Sequence, residues 1–265
     1  MKKVLTLVGL AGCLAAIASA STFYATSATQ LYTVTVTGTT PSDVADGATY
    51  GAGVSMQDIA WFGGNLYGVG TVAGGSQLYS INVNTGVATA LGASYSQAFD
   101  ELTFNSSGVL YAAGNGTDLY TLILTGGTAN PATTGILAGT GDLEFIGSTL
   151  YTISGGTSNL LETVNLSTGA LTPVGTAGTG AIGTANVLGL ADPGGTQLYG
   201  VTNTGVVLTI ATSGPGNLGV ALTPTLTPVF TGATDTTFTP EPASFGFIGL
   251  GLVVLGGFAY RRRKA

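Results

Sequence analysis

Carboxylates are the strongest candidates for chemistry in the body of this 265-residue chain. Between Val4 and Tyr260 there is no lysine, arginine or histidine, and the one cysteine, Cys13, lies near the start. Without His, Cys or Lys in residues 21–239, the usual general bases, thiol nucleophiles and Schiff-base amines are missing there. No Ser-His-Asp triad can form. The glycine-rich stretches lack the Gly-Lys-Ser/Thr of a phosphate-binding loop and have no strand–helix context around them, so they read as turns. Three acids stand at one repeat position: Asp58, Glu101 and Asp142, with Asp100 and Glu144 beside them. Such a set supports three chemistries. Paired carboxylates serve glycoside hydrolysis. Oxygen ligands suffice for a hard cation, and these three are the Ca²⁺ candidates. The third role is structural: acids accept backbone N–H bonds at turns. The structural role is favoured, because repeated acids in repeat proteins usually serve the fold. No residue is assigned a catalytic role, and no cofactor other than that Ca²⁺ is expected.

The elements that position these acids are repeats. DIAWFGGNLYGVG begins at Asp58, ELTFNSSGVLYAAG at Glu101 and DLEFIGSTLYTISG at Asp142. A looser copy, VLGLADPGGTQLYGVT, begins at Val187, where the acid is missing. The shared Leu-Tyr pairs put Tyr67, Tyr111, Tyr151 and Tyr199 at spacings of 44, 40 and 48 residues. Each copy continues with a second run of alternating apolar residues, as in SQLYSINVNTG from Ser76 and SNLLETVNLSTG from Ser158. Asn84-Thr85-Gly86 and Ser167-Thr168-Gly169 are tight turns, with glycine supplying the left-handed backbone.

One copy is therefore about four short strands in roughly 40 to 45 residues, the size of a propeller blade. The fold class expected is all-β, a β-propeller of about five four-stranded blades; a β-sandwich or β-solenoid shares the periodicity. A lone blade cannot bury both faces of its sheet, and a ring of blades buries them against each other. Trp61, Phe104, Phe145 and the Leu-Tyr residues are expected to fill the layers between blades. TFYATS and TQLYTVTVTG supply the second and third strands of a further blade, and Asp235 to Thr239 is expected to supply its first strand and close the ring. The first strands line the central channel, so Asp58, Glu101 and Asp142 are expected to converge at one mouth of it.

Charge is segregated. All six basic residues are terminal (Lys2, Lys3, Arg261, Arg262, Arg263 and Lys264), and all twelve acids lie between Asp43 and Glu241. A domain without cations is a poor partner for phosphate backbones, which excludes nucleic-acid binding. Docking on anionic lipid is disfavoured for the same reason. Repulsion among the acids favours solubility.

The ends read as addresses. Lys2 and Lys3, an apolar core from Val4 to Ile17 and the small residues Ala18-Ser19-Ala20 make a secretory signal (residues 1–20), with signal peptidase expected to cut before Ser21. Leu10-Ala11-Gly12-Cys13 also has the form of a lipobox, but Leu14 to Ala18 continue the apolar run. At the other end, Pro240-Glu241-Pro242 precedes an apolar stretch from Ala243 to Tyr260 and the cluster Arg261, Arg262, Arg263, Lys264. Eighteen helical residues span roughly 27 Å, close to the hydrocarbon thickness. The cations stop translocation and orient the span, with the domain outside and the tail inside.

This order of motif, span and basic cluster (residues 240–265) resembles the PEP-CTERM sorting signal. The resemblance implies a Gram-negative exported protein and an exosortase that recognises Pro240, Glu241 and Pro242 as substrate residues. It also implies transient anchoring in the inner membrane, then delivery to the cell surface or extracellular matrix, with a link to exopolysaccharide and biofilm. A simple tail anchor is the plainer alternative. Residues 21–239 would then be a non-catalytic interaction or structural domain whose hydroxyl, amide and tyrosine faces suit neutral polysaccharide. The alternative is a secreted carbohydrate-active enzyme using carboxylates.

Overall fold

The computed structural model describes residues 20–114, 118–133, 141–154, 159–177, 185–194, 197–214 and 218–236. Within them the chain forms twenty strands, and no helix is long and apolar enough to cross a membrane. Both apolar terminal segments lie outside the described residues, as do Ala18, Pro240, Glu241, Pro242 and the terminal basic cluster.

The strands make five antiparallel four-stranded sheets, the blades of a propeller. Blade 1 holds β1 (Ala20–Thr26), β2 (Leu31–Thr37) and β3 (Thr40–Ala45). Blade 2 is β4 (Met56–Phe62), β5 (Asn65–Val72), β6 (Gly75–Ile81) and β7 (Ala88–Ala90). Blade 3 is β8 (Phe99–Phe104), β9 (Leu110–Gly114), β10 (Leu119–Leu122) and β11 (Ala129–Thr133). Blade 4 is β12 (Leu143–Ile146), β13 (Thr149–Ser154), β14 (Leu160–Val164) and β15 (Leu171–Thr176). Blade 5 is β16 (Val187–Ala191), β17 (Leu198–Thr202), β18 (Val207–Ile210) and β19 (Gly219–Ala221). The last strand, β20 (Gly232–Asp235), returns to blade 1 and pairs with β1, from Phe23 opposite Asp235 to Thr26 opposite Gly232. The ring is thus closed by pairing the two ends of the domain. The closing strand lies three residues earlier than Asp235–Thr239. It places Gly232 against Asp58, where a Cβ would collide with the carboxyl.

Each blade buries both faces against its neighbours, and five apolar clusters correspond to the five interfaces. Leu31 and Tyr50 meet Met56, Ile59 and Leu66 between blades 1 and 2. Val69 and Leu78 meet Leu102 and Leu110 between blades 2 and 3. Ala113 and Leu119 meet Leu143 and Leu150 between blades 3 and 4. Ile153 and Leu161 meet Leu190 and Leu198 between blades 4 and 5, and Val201 and Val207 meet Phe23 and Val34 at the closing seam. Each large side chain so buried contributes about 1.5–3 kcal/mol, and none of that is gained by a blade alone. Three aromatic side chains of the inner strands lean on the second-strand tyrosine of the preceding blade. Trp61 lies 5.7 Å from Tyr24, Phe104 5.3 Å from Tyr67 and Phe145 5.4 Å from Tyr111, ring centre to ring centre.

Turn chemistry follows the sequence. Asn82 Oδ1 accepts the N–H groups of Asn84 and Thr85, and Gly86 completes the turn at φ 74°. Asn165 Oδ1 does the same for Ser167 and Thr168, with Gly169 at φ 70°. A side chain would strain both glycines.

Candidate functional site

The innermost strand of every blade is an edge, and its outward N–H groups have no partner within their own sheet. In this ring those edges are β20, β4, β8, β12 and β16, packed around the axis. Register fixes what each offers at one level. Asp58 stands opposite Val69, Glu101 opposite Ala113, Gly189 opposite Val201 and Gly232 opposite Thr26. Asp142 is placed at the same level by the bond from Ile153 N–H to its carbonyl, 3.3 Å. One level of the channel is therefore three acids followed by two glycines. Val187 is not the counterpart of the acids in the fourth copy. A bulge between Val187 and Gly189, like those before Asp58 and Glu101, shifts the register and puts Gly189 there.

The glycines make the acids possible. A Cβ on Gly232 would collide with Asp58 Oδ1, and one on Gly189 would lie 2.6 Å from Ala233 N and Gly232 C. The space a fourth and fifth side chain would need is already taken by the Asp58 carboxyl at Gly232, and by the β20 backbone and Val201 at Gly189.

Those carboxyls bond the blades to one another. Asp58 Oδ2 accepts Leu102 N–H of the next blade at 2.6 Å. Asp142 Oδ2 accepts Leu190 N–H of the next blade, and Oδ1 accepts Leu143 N–H at 2.6 Å. Glu101 accepts the Gly141 backbone N–H. Across the axis Asp58 and Asp142 bond directly to each other. Burial pushes both well above the ordinary carboxyl range, so the pair holds a proton between them more tightly than free carboxyls do. Burial, with the Asp100 charge added, raises Glu101 to about 8, and burial raises Asp100 itself to about 6. Asp58, Glu101 and Asp142 are all but inaccessible to solvent. This is the arrangement of a structural latch. No substrate can enter between Asp58 and Asp142, as a glycosidase pair requires. The Ca²⁺ candidates are brought together, but most of their oxygens face N–H groups or each other; Asp58 Oδ1 and Glu101 Oε2 are left without partners. Among the described residues no three His, Cys, Asp or Glu side chains are arranged to hold a metal ion.

Nearer the end of the inner strands lies a second acidic group that sequence comparison did not single out as a set. Glu144 accepts a 3.4 Å bond from Thr103 Oγ1. It is raised by burial first and then by the charges of Asp235, Asp142 and Asp192. Asp235 is raised to about 7, by burial and then by Asp192, whose backbone N–H it accepts. Asp192 and Asp235 end the inner strands of blades 5 and 1, where the other three blades carry Trp61, Phe104 and Phe145. Only the register reveals that correspondence. A cavity of about 30 Å³, room for a water molecule, lies among Trp61, Phe145, Thr103, Thr234, Glu144 and Asp235.

The larger opening is elsewhere. A cleft of about 540 Å³ lies on the flank of blade 2 and is lined by Asn65, Tyr67, Ser80, Asn82, Thr85 and Thr89 among others, with no ionisable carboxyl or cation. The channel level that holds the repeated acids is thus closed, and the cleft on blade 2 is uncharged.

Comparison with known proteins adds two findings. Residues 238–264 match the PEP-CTERM protein-sorting motif. Solved structures similar to this chain share its fold at low identity. One is a nidogen/laminin complex, with TM-score 0.51, 12% identity, 82% of this chain and 98% of that chain covered. Another is a protein of unknown function from Bacteroides thetaiotaomicron VPI-5482, with TM-score 0.51, 12% identity, 73% of this chain and 56% of that chain covered. A third comes from work on the de novo evolutionary emergence of a symmetrical protein, with TM-score 0.50, 16% identity, 84% and 99% covered. No curated protein matches the sequence.

Proposed function

As an exported protein that an exosortase sorts through a membrane-anchored C-terminal signal, this chain serves, we propose, as a non-catalytic binding module delivered to the cell surface or extracellular matrix, where it associates with uncharged polysaccharide. The observation that carries the non-catalytic reading is the state of the axis. The repeated acids, the best catalytic candidates in the sequence, are buried, bonded to backbone N–H groups and to each other. Residues 21–239 hold no histidine, cysteine or lysine to take over acid–base or nucleophilic work. Absence of cations disfavours anionic polymers and leaves hydroxyl, amide and tyrosine surfaces for recognition.

In this reading Ala18 and Ala20 direct signal peptidase to cut before Ser21, which is the second residue of β1. Pro240, Glu241 and Pro242 are read by the exosortase, and Arg261, Arg262, Arg263 and Lys264 hold the tail on the cytoplasmic side until processing. The last described strand, β20, ends at Asp235 and Thr236 Oγ1 bonds Thr22 O at 2.9 Å, so a cut near Glu241 falls after all twenty described strands. Replacing Pro240, Glu241 and Pro242 together by alanine in the native host tests the sorting half. The chain is expected to keep its full mass and stay in the membrane fraction; normal release would overturn it. Incubating matrix polysaccharide with the protein tests the other half. No new reducing ends are expected, and their steady appearance would favour a carbohydrate-active enzyme.

A further inference from the structure

We propose that the cleft on the flank of blade 2 is a binding site for a neutral saccharide; this rests on the polysaccharide-associated reading above and assigns it a place. The cleft is built on a cross-strand row. Tyr67 of β5 stands opposite Ser80 of β6, and Ser80 opposite Thr89 of β7, so the three side chains share one face. The face is graded: Tyr67 and Ser80 are half-buried and Thr89 is exposed. Tyr67 leans on Phe104 of blade 3, ring centres 5.3 Å apart, which fixes it as an aromatic wall at the inner end. Asn82 and Thr85 close the cleft at the turn.

The same row recurs around the ring; among the described residues blades 2 and 4 keep hydroxyls at both outer positions without a protein partner, and the cleft of about 540 Å³ lies on blade 2. The other rows are Tyr24–Thr33–Val44, Tyr111–Thr121–Asn130, Tyr151–Thr163–Thr172 and Tyr199–Thr209–Val220. In blades 1 and 5 the exposed tip is valine. In blade 1 the middle hydroxyl is committed to Asp46 Oδ2 at 2.7 Å, and in blade 3 to the Asn130 carbonyl at 3.4 Å. In blade 2 neither the Ser80 nor the Thr89 hydroxyl has a protein partner among the described residues. Asn82 spends its Oδ1 on the turn, which leaves its NH₂ group as a donor.

The chemistry selects the ligand class. Hydroxyls that donate and accept, an amide donor and one aromatic wall match the alternating hydroxyl and C–H surface of a sugar. No cation is present to hold a phosphate, sulfate or uronate, and no carboxylate lines the cleft to hold an amine or a metal. The volume, about 540 Å³, falls within the range of small-ligand sites and admits one or two sugar rings.

The test uses the full chain in a sugar-free detergent, titrated calorimetrically with malto-, cello- and laminari-hexaose and a galactomannan fragment, beside an alginate hexamer and a Thr-rich peptide. At least one neutral oligosaccharide is expected to bind, and the double variant Ser80→Ala/Thr89→Ala is expected to bind it about tenfold more weakly with an unchanged melting temperature. Binding that the double variant leaves intact would overturn this site while leaving the polysaccharide reading standing. No binding of any neutral oligosaccharide, or preference for alginate or the peptide, would overturn both.

Discussion

Three carboxyl groups meet on the axis, Gly232 leaving room for that of Asp58 and Gly189 for the backbone of β20, and the absence of any nearby cation makes protons their counter-charge. Burial, the largest cause, makes Glu101, Asp100 and Asp235 hold their protons more tightly in the folded chain than in the unfolded one. Folding therefore takes up protons. The stabilisation is complete below about pH 4, where ordinary carboxyls are protonated, and is lost as pH rises through the folded values. Those values are about 6 for Asp100, about 7 for Asp235 and about 8 for Glu101. The melting temperature is expected to fall steadily between about pH 5 and 8.5; a flat or rising profile would sink this account. Asp142→Ala leaves the Leu143 and Leu190 N–H groups buried without partners and is expected to cost about 2–4 kcal/mol in urea unfolding. Asp142→Asn keeps one acceptor for those N–H groups and is expected to cost less. Gly232→Ala places a methyl group against Asp58 Oδ1 and is expected to cost at least about 2 kcal/mol. Adding Asp58→Ala should recover part of that loss, and strictly additive costs would show that the two sites do not share the space.

At the scale of elements, the inner strands explain both what could be read and what could not. The Leu-Tyr pairs and the Asn-x-x-x-Gly turns recur in sequence because the same hairpins recur, so blade spacing and turn positions were legible. The bulges before Asp58, Glu101 and Gly189 were not, since a residue inserted into an edge strand leaves no mark in the alternation of its short neighbours. That is why Val187 stood in for Gly189, and why Asp192 and Asp235 were not seen as counterparts of Trp61 and Phe104. The closing strand was legible in kind, a first strand supplied from the end of the domain, but its position was set by the contact of Gly232 with Asp58. β20 also bonds forward, as Thr234 Oγ1 accepts Trp61 N–H of blade 2 at 3.0 Å. Thr234→Val is expected to cost about 1–2 kcal/mol and to speed hydrogen exchange at the Trp61 amide selectively; unchanged exchange there would remove this bond from the seam.

For the whole molecule, the ring places its two kinds of surface apart. The axis concentrates Asp58, Glu101, Asp142, Glu144, Asp192 and Asp235, six of twelve acids, where they knit the blades, while the outer flank of blade 2 presents uncharged hydroxyls. An exported domain without thiols or cations gains its stability from five apolar interfaces that exist only when the ring is complete. Its two ends leave from the same edge of blade 1, because β1 starts where β20 stops.

The sequence by itself determined the sorting motif, the strand-rich repeats and their number, because a linear signal read by an enzyme and a hairpin fixed by its turn both depend on residues close together in the chain. Only the tertiary structure decided what the acids do. Whether a carboxyl faces water, a metal or a neighbouring backbone depends on which strands meet around an axis, and those strands are 40 or more residues apart.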